Sequence, residues 1–488
     1  MSYWLIITVL LLYCVLLYGW SRYISRGAVA TTFFTADRKA PWPLVAYGMV
    51  GASISGVTFI SVPGNVLTEN FYYIPMVIGF ILGYLFIAKV LLPLYYREGD
   101  VTIYALLEKR LGRQSRMSAA VFFFISRLLN CAVRIFIVAL VLSSILDVGS
   151  EWGRFVSIVL VFLSLLFLYT YKGGVKTLVL TDIFHTSLVL LALVAAIISV
   201  VSNLQGDNSD VILQQILSSD YLSVIDNRWD SPTNCLKQVV AGFFMTVAMT
   251  GLDQGMMQKN LSCKTLSQSQ KNVYTTSVII LIVNLLFLAL GALFGLYIEN
   301  VGGISALGVA STDEIFPWVA TNLMGKGGLL LFLLGLISSS YPSSAASVTS
   351  LTTSLYHDIL TLHKRKGLSE KKLYHIRVTL QLVIVIVIML IVILFYHFNN
   401  TSVINLIYKL ASYTYGPLLG LFAFSFWGKF SVKEGFVPYI TICSVLLSLI
   451  VDQLLKHFIG FDIGFSLLIL NGVITFAGML LFRKEDLN

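Results

Sequence analysis

The chain has 488 residues, of which 57% are hydrophobic and 12% charged. Soluble domains average roughly 45–50% apolar and 25% charged residues, so a soluble enzyme, a disordered chain and a secreted disulfide scaffold are excluded, leaving a polytopic membrane protein. The net charge of +9 does not imply nucleic acid, because the basic residues gather in loops between apolar runs.

Thirteen apolar runs follow one another, at 3–23, 43–63, 73–95, 118–146, 153–171, 178–202, 236–258, 275–299, 327–357, 374–396, 403–427, 435–455 and 461–483. Numbered spans 1 to 13, most match the roughly 20 residues that cross a bilayer. The longest, 118–146 and 327–357, are expected to tilt or to run past it. The first run has no charged leader and no small-residue cleavage site, so it reads as a spanning helix. One set of alternate loops is basic, with Arg22, Arg26, Arg97, Lys109, Arg110, Lys172, Lys259, Lys264 and the string HKRKGLSEKK at 363–372 among its members. The opposite set holds only Arg154, Arg228, Lys237, Lys326 and Lys456. Positive charge stays inside, so the N-terminus is expected outside and the C-terminus in the cytoplasm, which requires an odd number of spans. The acidic outer loop at about 203–235 carries an amphipathic stretch, and a small external helix is expected there. Five cysteines at 14, 131, 235, 263 and 443 show neither disulfide-framework nor zinc spacing.

Two spans are interrupted. Span 2 contains Gly48, Gly51, Gly56, Pro63 and Gly64, and span 7 contains Gly242, Gly251 and Gly255. Glycine also serves close helix packing, but interrupted spans at matching places in two halves mark the discontinuous helices of secondary transporters. Spans 2–6 and 7–11 then form two five-helix repeats, 43–202 and 236–427. The leading helix 3–23 precedes them and two additional helices, 435–483, follow, in a single transporter domain over 1–488.

Ionisable groups inside spans are costly and usually functional. Those present are Lys89, Arg127, Arg134, Asp182, His185, Asp253 and Lys409. Arg127, Asn130 and Arg134 share a helix face at i, i+3 and i+7. A buried guanidinium suits a carboxylate, and pairing with a carbonyl or with Asp182 is the alternative. Lys89 is expected to snorkel. Span 9 reads GLISSSYPSSAASVTSLTTSLYHD, a hydroxyl density that suits a hard cation such as Na⁺, or hydroxyls bonded back to their own helix. His185 is the one histidine deep in a span, where packing is its commoner role. No catalytic triad, P-loop or paired acid is present, and enzyme activity is not expected.

The strings SISGVTFISVPG, ISRLLNCAVRIFIVALVL, YTYKGGVKTLVLTD, TGLDQGMMQKNLSCKTLSQSQKN, SVTSLTTSLYHDIL and YTYGPLLGLFAF resemble the sodium:solute symporter family, which includes proline, galactose and sialic acid symporters, and most of all its branch common in Bacteroidetes. The resemblance runs from span 2 through span 11. It implies an all-α fold of thirteen transmembrane helices with a five-plus-five inverted-repeat (LeuT-like) core, and Na⁺-driven uptake. For the main sodium site it implies carbonyls of Gly51, Ile54 and Ser339 with the hydroxyl of Ser343. The family's other hydroxyl is replaced by Pro342, for which Ser340 or Ser344 is a substitute. A second sodium site matches at Asp182 but has Ala345 and Ala346 where hydroxyls are needed, so it is expected to be absent. Implied solute-binding residues are Ser53, Ser55, Thr58, Tyr72, Tyr73, Asn130 and Arg134, with Asp253 and Gln254 near the inner gate and Tyr413 and Tyr415 helping to close the outer side. Val57 and Thr58 replace the acid and glutamine that galactose symporters use.

The expected function is therefore secondary active transport by alternating access. Na⁺ is the coupling ion, and the solute is a small polar organic molecule for which Arg127 and Arg134 make an anion an option. Proton coupling through the coupling candidates Asp182 and His185, uncoupled transport, and a transport-deficient sensor are the alternatives. The partners are the solute and the lipid bilayer of the inner (plasma) membrane, with no nucleic acid and no obligatory protein partner evident.

Overall fold

The computed structural model describes residues 3–26, 30–146, 149–204, 209–309, 311–365, 369–397, 401–427, 431–460 and 463–484. Among them regular structure is helical, with two isolated β-bridges and no sheet. A bilayer offers no partner to a free amide or carbonyl, and helices satisfy both within one segment. Eight helices are long and apolar enough to cross a membrane, or ten when each of two bent pairs counts as one span. Thr8–Ile24 and Leu467–Leu481 are shorter apolar helices.

In chain order the principal helices are α1 (Tyr3–Ile24), α2 (Trp42–Ser53), α3 (Gly56–Glu69), α4 (Ile74–Glu98), α5 (Ala105–Leu111), α6 (Arg113–Ile145), α7 (Glu151–Thr170), α8 (Val175–Asn203) and α9 (Ser209–Ser218). They continue with α10 (Cys235–Gly251), α11 (Gln254–Asn260), α12 (Leu266–Asn300), α13 (Ile315–Asn322), α14 (Gly325–Ile359), α15 (Glu370–His397), α16 (Thr401–Trp427), α17 (Val437–Ile459) and α18 (Leu467–Leu481). The external helix expected in the long acidic loop is α9.

The two glycine-interrupted spans are the two that bend. α2 and α3 meet at 62°, and α10 and α11 at 73°. At the first break Ile54 is extended (φ −75°, ψ 121°), and Ser55 caps α3 by accepting the Thr58 amide at 3.2 Å. At the second, Asp253 caps α11 by accepting the Met256 amide at 2.9 Å. Both caps put a side-chain oxygen on an orphan amide of a new helix start.

Two expectations need correction. α12 begins at Leu266, well before the apolar run at 275, because Thr265 caps it by accepting the Gln268 amide at 3.3 Å. The polar LSQSQKN string is thus helix, where hydropathy alone reads loop. Lys259, counted above with the loop cations, is 1% exposed and bonded to Asp182. α14 runs through Pro342 without breaking, since proline costs the Ser338 carbonyl its donor but leaves the helix dihedrals intact. Lys409 lies on α16, and its side chain falls outside the described residues.

Glycines also allow α4 and α10 to cross at backbone contact. A Cβ on Gly79 would lie 2.9 Å from Gly242 Cα, and one on Gly242 would lie 3.2 Å from Gly79 Cα. Gly242→Leu is expected to destabilise the protein by at least the ~1–3 kcal/mol of ordinary overpacking, because backbone cannot yield as a side chain does. A melting curve in detergent unchanged from wild type would refute this.

Candidate functional site

The α2–α3 break forms one wall of a cavity of about 210 Å³. Ser53, Ile54, Ser55 and Thr58 line it from the break. Tyr73 ahead of α4, with Phe80 and Tyr84 on it, faces them, and Arg127 and Arg134 reach in from α6. Met245, Thr246, Met249 and Thr250 of α10, Met256 of α11, and Ile280 and Asn284 of α12 complete the lining. Ser53 donates to the Met49 carbonyl at 2.9 Å and lies 3.2 Å from the Tyr84 hydroxyl, while Ser55 and Thr58 hydroxyls are 3.1 Å apart. Among the described residues the lining carries two guanidinium groups and no carboxylate.

Arg127 dominates the electrostatics. It is 4% exposed, and its Nη1 lies 3.3 Å from Asp253 Oδ2. Its Nε and Nη2 have no hydrogen-bond partner among the described residues. Asp253 is saturated by comparison, since it also accepts from the Tyr415 hydroxyl at 3.0 Å and the Met256 amide at 2.9 Å. One face of the guanidinium is thus held by the second helix break, and the other leaves donors unsatisfied in a buried polar cavity, which is costly unless an acceptor binds there.

Of the sequence-derived solute residues, the structure gathers Ser53, Ser55, Thr58, Tyr73 and Arg134 around the cavity, whereas Tyr72, Asn130, Asp253 and Gln254 do not line it. Asp253 is instead the partner of Arg127. Gln254 is occupied by the loop after α4, accepting the Ile103 amide at 2.9 Å and donating to the Val101 carbonyl at 3.0 Å. Tyr413 donates to Asp452 of α17 at 3.1 Å, and Tyr415 donates to Asp253 at the α10–α11 break. Tyr84, Asn284 and the three methionines carry no sequence signal beyond their presence in spans. Arg127 has one, its i, i+7 spacing from Arg134.

The oxygen-rich part of α14 faces the start of α3. A Cβ on Gly56 would lie 2.7 Å from Ser340 Oγ and 3.4 Å from Ser339 Oγ. Ser339 donates to the Leu336 carbonyl at 2.6 Å and Ser343 to the Ser340 carbonyl at 3.1 Å, the back-bonding pattern of helix hydroxyls. Ser340 and Ser344 Oγ are buried and have no hydrogen-bond partner among the described residues. The break at Ile54 also ends the helical bonding of the last α2 carbonyls, among them those of Gly51 and Ile54. Carbonyl and hydroxyl oxygens of this kind suit a hard cation.

On α8, Asp182 is bonded to Lys259, and His185 Nδ1 lies 2.9 Å from the Tyr13 hydroxyl of α1, which is also 3.2 Å from Ser338 Oγ. A separate polar web joins the start of α6 to the end of α14. Arg116 binds Asp358 (Nη2–Oδ1, 2.8 Å), Glu108 and the His357 carbonyl (2.9 Å), and Thr102 donates to Asp358 at 2.6 Å. The Arg116 hydrogen bond holds the Glu108 carboxyl, on α5, below the usual range. A larger cavity of about 470 Å³ among α1, α7 and α14 is lined mostly by apolar side chains and lacks the convergent polar groups of a polar-solute site.

Comparison with known proteins gives a coherent set of similarities. Residues 33–441 match the model of the sodium:solute symporter family. A sodium/sialic acid symporter of Aliivibrio fischeri is 21% identical, covering 82% of this chain and 78% of that protein. Sodium-coupled monocarboxylate transporter 1 of Xenopus laevis is 25% identical over 70% of this chain, which spans 54% of that longer protein. Among solved structures, a substrate-bound, outward-open Na⁺-coupled sialic acid symporter superposes with a TM-score of 0.83 at 17% identity, covering 98% of each chain.

Proposed function

The chain belongs to the sodium:solute symporter family and is a sodium-coupled solute transporter, and from that premise we propose that its solute is a small organic carboxylate bound at Arg127. The observation that carries this is the guanidinium edge left without acceptors in a cavity whose lining has no acid. A carboxylate matches that edge with two parallel N–H···O bonds. The relatives named above transport sialic acid and monocarboxylates, which are carboxylates of different size. Ser53, Ser55, Thr58 and Tyr73 orient the rest of the molecule, the methionine wall takes its apolar part, and Arg134 adds positive charge.

Na⁺ takes the break itself. Its ligands are the carbonyls of Gly51 and Ile54, the Ser339 carbonyl and the hydroxyl of Ser343, with Ser340 standing in for the hydroxyl lost at Pro342. Ser340 is the member of this set that reaches the α3 start with its oxygen unspent. Ser340→Ala is expected to raise the Na⁺ concentration for half-maximal uptake about tenfold, since one ligand bond to an ion is worth about 1.4 kcal/mol or more. An unchanged Na⁺ curve would leave Ser343 as the side-chain ligand.

The chain crosses the plasma membrane thirteen times in this reading, N-terminus outside and C-terminus inside, an orientation that the loop charges support. Repeats 43–202 and 236–427 each open on a bent helix pair, an arrangement that places solute and ion between them. The deciding experiment is a thermal-shift screen of the purified protein in NaCl and in KCl. A ligand that binds the native state raises its melting temperature. Stabilisation by a carboxylate in Na⁺, absent with its amide, is the expected result. Stabilisation by neutral sugars but no acid would overturn the reading.

A further inference from the structure

Asp182 and Lys259 are each 1% exposed and paired with one another inside the bundle. Asp182 sits on α8, where Gly48 of α2 presses against it, so that a Cβ on that glycine would lie 2.9 Å from Asp182 Cβ. Lys259 is carried by α11, the short half of the second broken helix. The ammonium takes Asp182 Oδ2, and Oδ1 has no hydrogen-bond partner among the described residues. The titratable groups around the pair are Tyr169 of α7, which interacts with Asp182, and His185 one turn along α8, which interacts with Lys259 and stacks parallel on Tyr341 of α14 at 5.6 Å.

A carboxylate buried in a bilayer must be neutralised. A mobile cation can do this, or a side chain can. Here a side chain does: the Lys259 ammonium is bonded to Asp182 Oδ2, and an ammonium is a compact point charge on a flexible stem. With that charge in place, no mobile cation is needed to neutralise the acid.

We propose that Lys259 is a built-in counter-cation, whose ammonium permanently occupies the cation position at Asp182, so that one Na⁺ rather than two accompanies each solute. The proposal takes sodium binding at the first helix break as given. Because Lys259 rides on α11, the charge that neutralises Asp182 moves with the broken helix and is never released to either side of the membrane. A mobile ion at the same place would be bound and released in every cycle and would add its own gradient to the driving force.

The test is the Na⁺ dependence of thermal stabilisation and of uptake in reconstituted protein, for wild type, Lys259→Arg, Lys259→Met and Asp182→Asn/Lys259→Met. A Hill coefficient cannot exceed the number of coupled sites, so wild type and Lys259→Arg are expected at about 1. Lys259→Met orphans Asp182, which then recruits a mobile cation, and its coefficient should rise toward about 2 with a second Na⁺-dependent step in the melting temperature. The double variant removes both charges and should return to a single Na⁺ step. A wild-type coefficient near that of two sites, or a Lys259→Met protein indistinguishable from wild type, overturns the proposal. If Lys259→Met does not fold, the double variant decides: one Na⁺ step supports the proposal, and the loss of a Na⁺ step that wild type possesses refutes it. Failure of sodium binding at the first break is distinguishable, because wild type would then show no Na⁺ step while the step created by Lys259→Met would remain.

Discussion

Arg127→Lys is expected to leave the protein folded and Na⁺-responsive while raising the KM for its carboxylate solute on the order of 100-fold, because about two charge-assisted hydrogen bonds are lost at ~1.5 kcal/mol each. Lysine keeps the positive charge opposite Asp253, so the buried acid is not orphaned. It lacks the planar fork, so it cannot hold Asp253 on one side and a carboxylate on the other. This separates solute recognition from structure. Arg127→Met removes both, and leaving Asp253 without its cation is expected to cost ~3–5 kcal/mol of stability. Concentration dependence of uptake, with melting temperature as the control, reads both variants. A KM for Arg127→Lys equal to that of wild type would move the carboxylate to Arg134 or out of the cavity.

The positions of the helices were largely legible from hydropathy, because a bilayer forces apolar runs of a nearly fixed length. The breaks were legible too, since Gly51, Gly56 and Gly251 stand where the chain needs either freedom or close approach. The pairings were not. Arg127 and Asp253 come from different repeats, and nothing local in either segment marks the other as its partner. Lys259 sits beside polar residues at the end of an apolar run, and a positive-inside count has no means of distinguishing a solvated lysine from one folded back onto Asp182. The polar start of α12 was hidden for a related reason: capping by Thr265 lets a hydrophilic string be helical, and hydropathy does not register caps. At the candidate sodium site, chain counting pointed to Ser343 with Ser340 or Ser344 as substitutes, and among the described residues the unspent hydroxyls are those of Ser340 and Ser344. Which helix oxygens are already bonded to their own backbone depends on side-chain rotamers, and a one-dimensional register does not contain them.

Arg116→Met is expected to raise the rate of maleimide labelling at Cys263 at least ~10-fold, and the reasons run along one chain of contacts. Arg116 is the cation for Asp358, whose side chain is 0% exposed, and a buried acid without its cation costs ~3–5 kcal/mol in the conformer that buries it. Thr102 donates to the same Asp358 oxygen, and its neighbours Val101 and Ile103 grip Gln254 at the start of α11. Cys263 follows the end of α11, fully buried, with its carbonyl accepting the Tyr96 hydroxyl at 2.9 Å. Loosening Asp358 therefore loosens the loop that holds α11, and with it the cover over Cys263. Burial pushes the Cys263 thiol up to about 12, so in the closed conformer it is both covered and protonated at pH 8. On exposure it returns toward the ordinary thiol value of about 8.5, where an appreciable thiolate fraction is present at pH 8. Labelling thus counts the opened population almost alone, with little background from the closed one. Arg116→Lys keeps a cation beside Asp358 and is expected to label at close to the wild-type rate. Asp358→Asn/Arg116→Met, which removes the orphaned charge, should fall between the two. Na⁺ with solute redistributes the conformers by its differential affinity for them, so the same thiol should report a change of rate on ligand addition in wild type. Labelling of Arg116→Met at the wild-type rate would mean that the Arg116–Asp358 pair stabilises the fold without governing access at this end of the bundle.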